Sequence, residues 1–246
     1  MPKLSHLHSP PTGSIPAILV PLLKSYELPR HIETLRAYWD AEQARRAEFR
    51  AWVKDDKKHE FVNGEIVSAS PSSMAHCRVV TSLAAILGTL SRRFAPDSVV
   101  LLEKAMIGCA RNDYEPDVMW FAPAKAAGIG QETEILPPPD FDIEVLSQST
   151  EPRDRGVKFE DYALNGIAEY WIIDADLQSV ERYRLDAGCR AYGPAETGPD
   201  IAWRPTPDAS SPAFLFPASA LFDEIAFIQV LTGITSMPAG LKNPHA

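Results

Sequence analysis

Only three cysteines, Cys77, Cys109 and Cys189, occur in 246 residues. An odd number at such wide spacing excludes a disulfide framework and zinc-ligand spacing, and fits a reduced, cytoplasmic compartment. Long apolar runs are also missing. None approaches the ~18 residues of a membrane helix. The early stretch Ile15 to Leu23 is broken by Pro16 and Pro21 and lacks a basic start and a small-residue cleavage site, so it is not read as a signal peptide. Basic residues are short in supply: 24 Lys and Arg stand against 33 Asp and Glu, a net charge of −9. That balance excludes coating of nucleic acid by simple attraction. It leaves room for an acidic site that meets phosphate once divalent metal has neutralised it. No internal repeat is present.

What is there suffices for a core, with 45% hydrophobic residues. Residues 1–29 are proline-rich and read as a flexible tail, with His6 and His8 as tail residues. Apolar spacing predicts a helix over 30–53, then a break from Lys54 to Lys58 that reads as a solvated turn, with phosphate contact by its lysines as the alternative. Asn63-Gly64 predicts a hairpin over 59–69. A helix over 74–94, capped by Ser72 or Ser73, carries a buried stripe from Val79 to Phe94. Strands are expected at 99–107, 118–121, 141–146, 169–173 and 180–185, with a long loop over 123–139. One helix is expected between Thr150 and a Gly166 cap. After a link at 205–212, residues 214–231 close the fold as a turn and helix, and 232–246 fray. Residues 30–231 thus read as one domain.

The chemistry concentrates between Tyr114 and Trp171. Asp117 opens one apolar strand. Asp142 and Glu144 share one face of another, Phe141, Ile143 and Val145 the other. Lys158 follows on a helix, with Tyr162 one turn on. Two carboxylates on neighbouring strands suit magnesium, which takes one or two of them and fills its shell with water and phosphate. A lysine beside such a metal can position water and offset phosphate charge. Each residue also has a structural reading. Asp117 could be a turn residue after Pro116, and Lys158 could pair with Asp154 at i, i+4. Glu144 has the least room for one, since a carboxylate in so apolar a strand is costly unless paired or metal-bound. His76 lies on the buried face of its helix, as a core-edge histidine or a site residue. Glu60 and Glu65 flank the hairpin turn, as surface residues or accessory ligands. Arg153 and Arg155 could contact backbone phosphates or simply be solvated.

The blocks His59-Glu-Phe-Val-Asn-Gly-Glu65, Glu115-Pro-Asp-Val-Met-Trp-Phe121, Asp142-Ile-Glu-Val-Leu-Ser147 and Glu169-Tyr-Trp-Ile-Ile-Asp174, with His76 and Lys158, resemble the Uma-two family of bacterial endonucleases in the PD-(D/E)XK superfamily. The likeness covers about residues 45–225. It implies an α/β (α+β), restriction-endonuclease-like fold: a mixed sheet flanked by helices, here with an added hairpin. It also implies that Asp117 and Glu144 hold Mg²⁺ or Mn²⁺ while DNA is cut. The superfamily lysine two residues after the second acid is Leu146 here, and Lys158 on the following helix matches the family's substitute. The alternatives are a non-catalytic nucleic-acid or protein-binding module on the same fold, dimeric through the Trp171–Leu185 hairpin, or a hydrolase of RNA or another phosphodiester.

Overall fold

The structure, a computed structural model, describes residues 15–53, 57–186, 188, 190–204 and 213–237. Residues 1–14 with His6 and His8, the charged break at 54–56, Cys189, the link at 205–212 and the last residues from 238 lie outside them. The chain divides into two compact units, Met1–Trp52 and Val53–Ala246.

The first unit holds a 3-10 turn, Ala17–Leu19, and the helices α1 (Val20–Leu23) and α2 (Leu28–Trp52). The expected 1–29 tail therefore contains regular structure. Pro21 sits in the first turn of α1, where its missing N–H has no helical partner to lose. The helix predicted at 30–53 is present as α2. It falls in the first unit.

The second unit begins with β1 (His59–Val62) and β2 (Glu65–Ser68), antiparallel about Asn63-Gly64. Both turn residues are left-handed, φ 52° and 87°, as a two-residue hairpin turn demands. Helix α3 (Met74–Phe94) starts at Ser73, whose hydroxyl accepts the His76 N–H at 3.2 Å. The strand expected over 99–107 is two, β3 (Val99–Leu102) and β4 (Met106–Gly108). A turn at 103–104, with Lys104 at φ 69°, carries the chain from one sheet to the other. β5 (Asp113–Tyr114) and β6 (Val118–Phe121) follow. The expected 123–139 loop contains α4 (Pro123–Ala126), which Pro123 initiates, and β7 (Ile135–Leu136), which pairs in parallel with β4. β8 is Phe141–Val145.

The helix expected from Thr150 to Gly166 is broken into α5 (Glu151–Asp154) and α6 (Val157–Leu164). Gly156 makes the break. Its backbone lies at φ −112°, ψ −104°, and a Cβ there would stand 2.6 Å from the Pro152 carbonyl oxygen. β9 (Glu169–Asp174), β10 (Ser179–Asp186), β11 (Ala191–Tyr192), β12 (Asp200–Trp203) and β13 (Phe214–Pro217) complete the strands. A 3-10 turn, Ala218–Leu221, leads into α7 (Glu224–Ser236). α7 runs into the span expected to fray because Ile234 is fully buried.

A six-stranded sheet has the order β11-β10-β9-β8-β6-β3 and a five-stranded one β2-β1-β5-β4-β7; β12 and β13 pair alone. Within the larger sheet β8 and β9 are parallel and the other long pairs antiparallel, so it is mixed as expected. One face, with Val118, Trp120, Phe141, Ile143 and Val145, packs on α3 and α7. The other, with Met119, Phe121, Tyr170 and Ile172, packs with Tyr162 of α6 and with Ile107 and Tyr114 of the smaller sheet. By length and composition alone α3 could cross a membrane. Its stripe of Val79, Leu83, Ile86, Leu87 and Leu90 is instead spent on the core.

Candidate active site

The register of β6 on β8 pairs Val118 with Ile143 and Met119 with Asp142. One step further along places Asp117 opposite Glu144. Period-two alternation then turns both side chains to the face that looks at α6. Asp117 Oδ2 accepts the Val145 N–H at 2.8 Å, which locks the carboxylate at the sheet end. Glu144 is 2% exposed, one residue from the end of a fully buried strand that also carries Asp142.

Lys158 and Tyr162, one turn apart on α6, both reach Glu144 Oε1. The ammonium stands at 2.8 Å and the phenol donates at 2.9 Å. Lys158 also lies 2.9 Å from Glu60 Oε1 and 3.3 Å from Asp154 Oδ1, and 5.7 Å above the Tyr114 ring. The i, i+4 contact with Asp154 and the reach to Glu144 therefore coexist. Burial opposes its charge, but Glu144, Glu60 and Asp154 hold the Lys158 pKa well above the ordinary lysine range. Glu60 arrives on β1, fixed by the hairpin, and its Oε1 also accepts the Glu115 N–H at 3.2 Å.

Asp117 is surrounded by cations. Lys58 donates to Oδ1 at 2.6 Å, and His76 Nε2 lies 3.6 Å from Oδ2 and 3.4 Å from Glu103 Oε1. Neither ring nitrogen of His76 makes a well-formed hydrogen bond, although the residue is 6% exposed. Burial alone would raise the Asp117 pKa; Lys58 and His76 hold it well below the carboxylate range instead. Burial would lower His76, but Asp117 and Glu103 push it up to about 10. Burial pushes Glu144 up to about 8 against the pull of Lys158. Asp142, two residues away, is fully buried with no hydrogen-bond partner for either oxygen among the described residues; burial, and then Glu144 beside it, drives its pKa well above the usual carboxylate range.

The structure thus brings together Asp117, Glu144, Lys158, Tyr162, Glu60 and His76. A cavity of about 70 Å³ is lined by five of these and by Lys58, Ser147, Thr150 and Arg153, among others; Tyr162 lies beneath it. Arg153 is at this rim with its Nε unpaired. Arg155 is not. Its guanidinium is forked onto Glu181 at 2.7 and 2.9 Å and held by Glu151 at 2.9 Å. Glu65 points outward, exposed on β2. Lys58, which the sequence offers only as one of several lysines of a solvated break that could touch phosphates, joins the site, and so does Glu103, hidden in what reads as one strand. The ligand atoms of His76, Glu103 and Asp117 lie within 4.8 Å of one another. Carboxylate oxygens fit a hard cation such as Mg²⁺, and an imidazole nitrogen beside them also fits Mn²⁺.

A family model named Uma2, described as "Putative restriction endonuclease", matches residues 46–213. The chain belongs to the Uma2 family. This places it among nucleases at the level of the family. Among solved structures, a protein titled a "putative nuclease belonging to DUF820 from Anabaena variabilis ATCC 29413" is similar at 18% identity. The match covers 75% of this Uma2 chain and 97% of that one, with a TM-score of 0.59, and bears on the fold. No curated protein matches this Uma2 chain.

Proposed function

We propose that this Uma2 protein is a divalent-metal-dependent endonuclease that hydrolyses DNA phosphodiester bonds. The observation that carries the reading is the meeting of Asp117 and Glu144 across β6 and β8, in one cavity with the Lys158 ammonium 2.8 Å from Glu144. Asp117 and Glu144 would hold Mg²⁺ or Mn²⁺, with His76 and Glu103 at hand on the Asp117 side. A bound ion of this kind relieves charge on the phosphoryl oxygens and acidifies water. Lys158 orients the attacking water and stays charged because Glu60 and Asp154 hold it. Tyr162 fixes the Glu144 oxygen that Lys158 also touches. Arg153, on the cavity rim, receives a neighbouring phosphate.

Cleavage of DNA and RNA, measured with EDTA, Mg²⁺ and Mn²⁺, tests the assignment. DNA should be cut only with added metal, and Asp117→Ala and Glu144→Ala should each abolish cutting. Lys158→Met should slow it by a factor of about 10² or more. Metal-independent cutting, or cutting that survives in both acid variants, would sink the reading.

A further inference from the structure

Two lysines enter the site, and their settings differ. Lys158 is anchored on a helix by three carboxylates, with its side chain 3% exposed. Were it to leave, Glu60, Glu144 and Asp154 would lose their shared cation. Among the described residues Lys58 has one carboxylate partner, Asp117 Oδ1 at 2.6 Å, and its side chain is 20% exposed. It stands just before β1, outside any helix or strand, with its carbonyl pinned by the Ala69 N–H at 3.0 Å. The backbone is therefore fixed and the four-carbon side chain is the part that can swing.

The oxygen that Lys58 holds matters as much. Val145 takes Asp117 Oδ2. Oδ1 is the oxygen that Val145 leaves open, and Lys58 sits on it, on the wall of the cavity that Glu144 also lines. A carboxylate as deep as Asp117, whose side chain is 4% exposed, needs a counter-charge at all times. An ammonium can supply it when no metal does. Two cations cannot share Oδ1 without strong repulsion.

We propose that Lys58 is a resident stand-in for the metal and a phosphate ligand in waiting. Its ammonium neutralises Asp117 until a divalent ion displaces it, and the released ammonium then pairs with a phosphate oxygen of the nucleic acid. Metal and phosphate both favour the displaced Lys58, so each strengthens binding of the other. This rests on the proposed metal-binding role of Asp117 and Glu144.

Calorimetric Mn²⁺ titrations of the full chain separate the two ideas. The proteins are wild type, Lys58→Met, Lys58→Gln, Asp117→Asn and, as a nearby charge control, Lys104→Met. Thermal unfolding checks that each is folded. Both Lys58 variants should bind Mn²⁺ at least about ten-fold more tightly than wild type, beyond any change in Lys104→Met. A cleavage-resistant phosphorothioate duplex should tighten Mn²⁺ binding through its direct contact with the metal in every variant that binds it, and at least about ten-fold more in wild type than in the Lys58 variants. If wild type binds Mn²⁺, Asp117→Asn does not, and both Lys58 variants match wild type, the Lys58 proposal is overturned while the metal site stands. If no folded protein in the set binds Mn²⁺, the metal reading itself falls, and the Lys58 proposal with it.

Discussion

In the proposed metal-binding role Glu144 must first lose a proton, because burial lifts its carboxyl to about 8. Below that pH protons compete with metal, so affinity should fall by up to about ten-fold per pH unit from this group. Calorimetry at pH 7 in buffers of differing ionisation enthalpy should register proton release on Mn²⁺ binding; zero release would contradict the shift. The same lift has a cost in the metal-free fold. The unfolded chain ionises Glu144 first, so its contribution to stability declines as pH rises from the ordinary 4.5 toward about 8. Glu144→Gln lacks that decline, so in EDTA it should gain stability relative to wild type across this window, read by chemical denaturation. Glu144 and Lys158 were legible in the sequence for a local reason: one interrupts an apolar strand and the other sits at helical spacing from Asp154. Lys58 stood out only as one lysine of a charged run that could touch phosphates, and Glu103 not at all, because their partners Asp117 and His76 lie far along the chain.

Gly156 shows what pattern reading loses at the scale of elements. The spacing of Thr150 to Gly166 fits one helix, and only the Pro152 carbonyl 2.6 Å from the missing Cβ reveals two. Gly156→Ala should shift α6 and Lys158 with it. We expect a loss of about 1–3 kcal/mol in urea unfolding and a drop in cleavage larger than that instability explains. A variant as stable and active as wild type would exclude this role for the break. The longer-range elements were clear where periodicity was strong. α3 matched its predicted limits because its stripe repeats without interruption, and Leu87→Ala, at a fully buried position, should cost about 2–5 kcal/mol. The strand over 99–107 failed as a single element because an apolar run does not announce a change of sheet.

At the scale of the whole molecule the net charge of −9 sets the terms for meeting nucleic acid. Without divalent ions the acidic surface and phosphate repel. Fluorescence anisotropy with a labelled duplex should show weak binding in EDTA and stronger binding with Ca²⁺; equal binding in both would count against a metal-assisted encounter. The mixed, helix-flanked fold was legible through family-like blocks that lie within residues 59–174.

β8 writes two messages in alternate letters. Phe141, Ile143 and Val145 face the α3 side, while Asp142 and Glu144 face the chemistry. Drift or redesign can therefore act on the two sets separately. The odd positions can be repacked for heat tolerance with the Asp142 and Glu144 face untouched, and under the proposed function Glu144→Gln is the starting point for a reagent that holds DNA without cutting it.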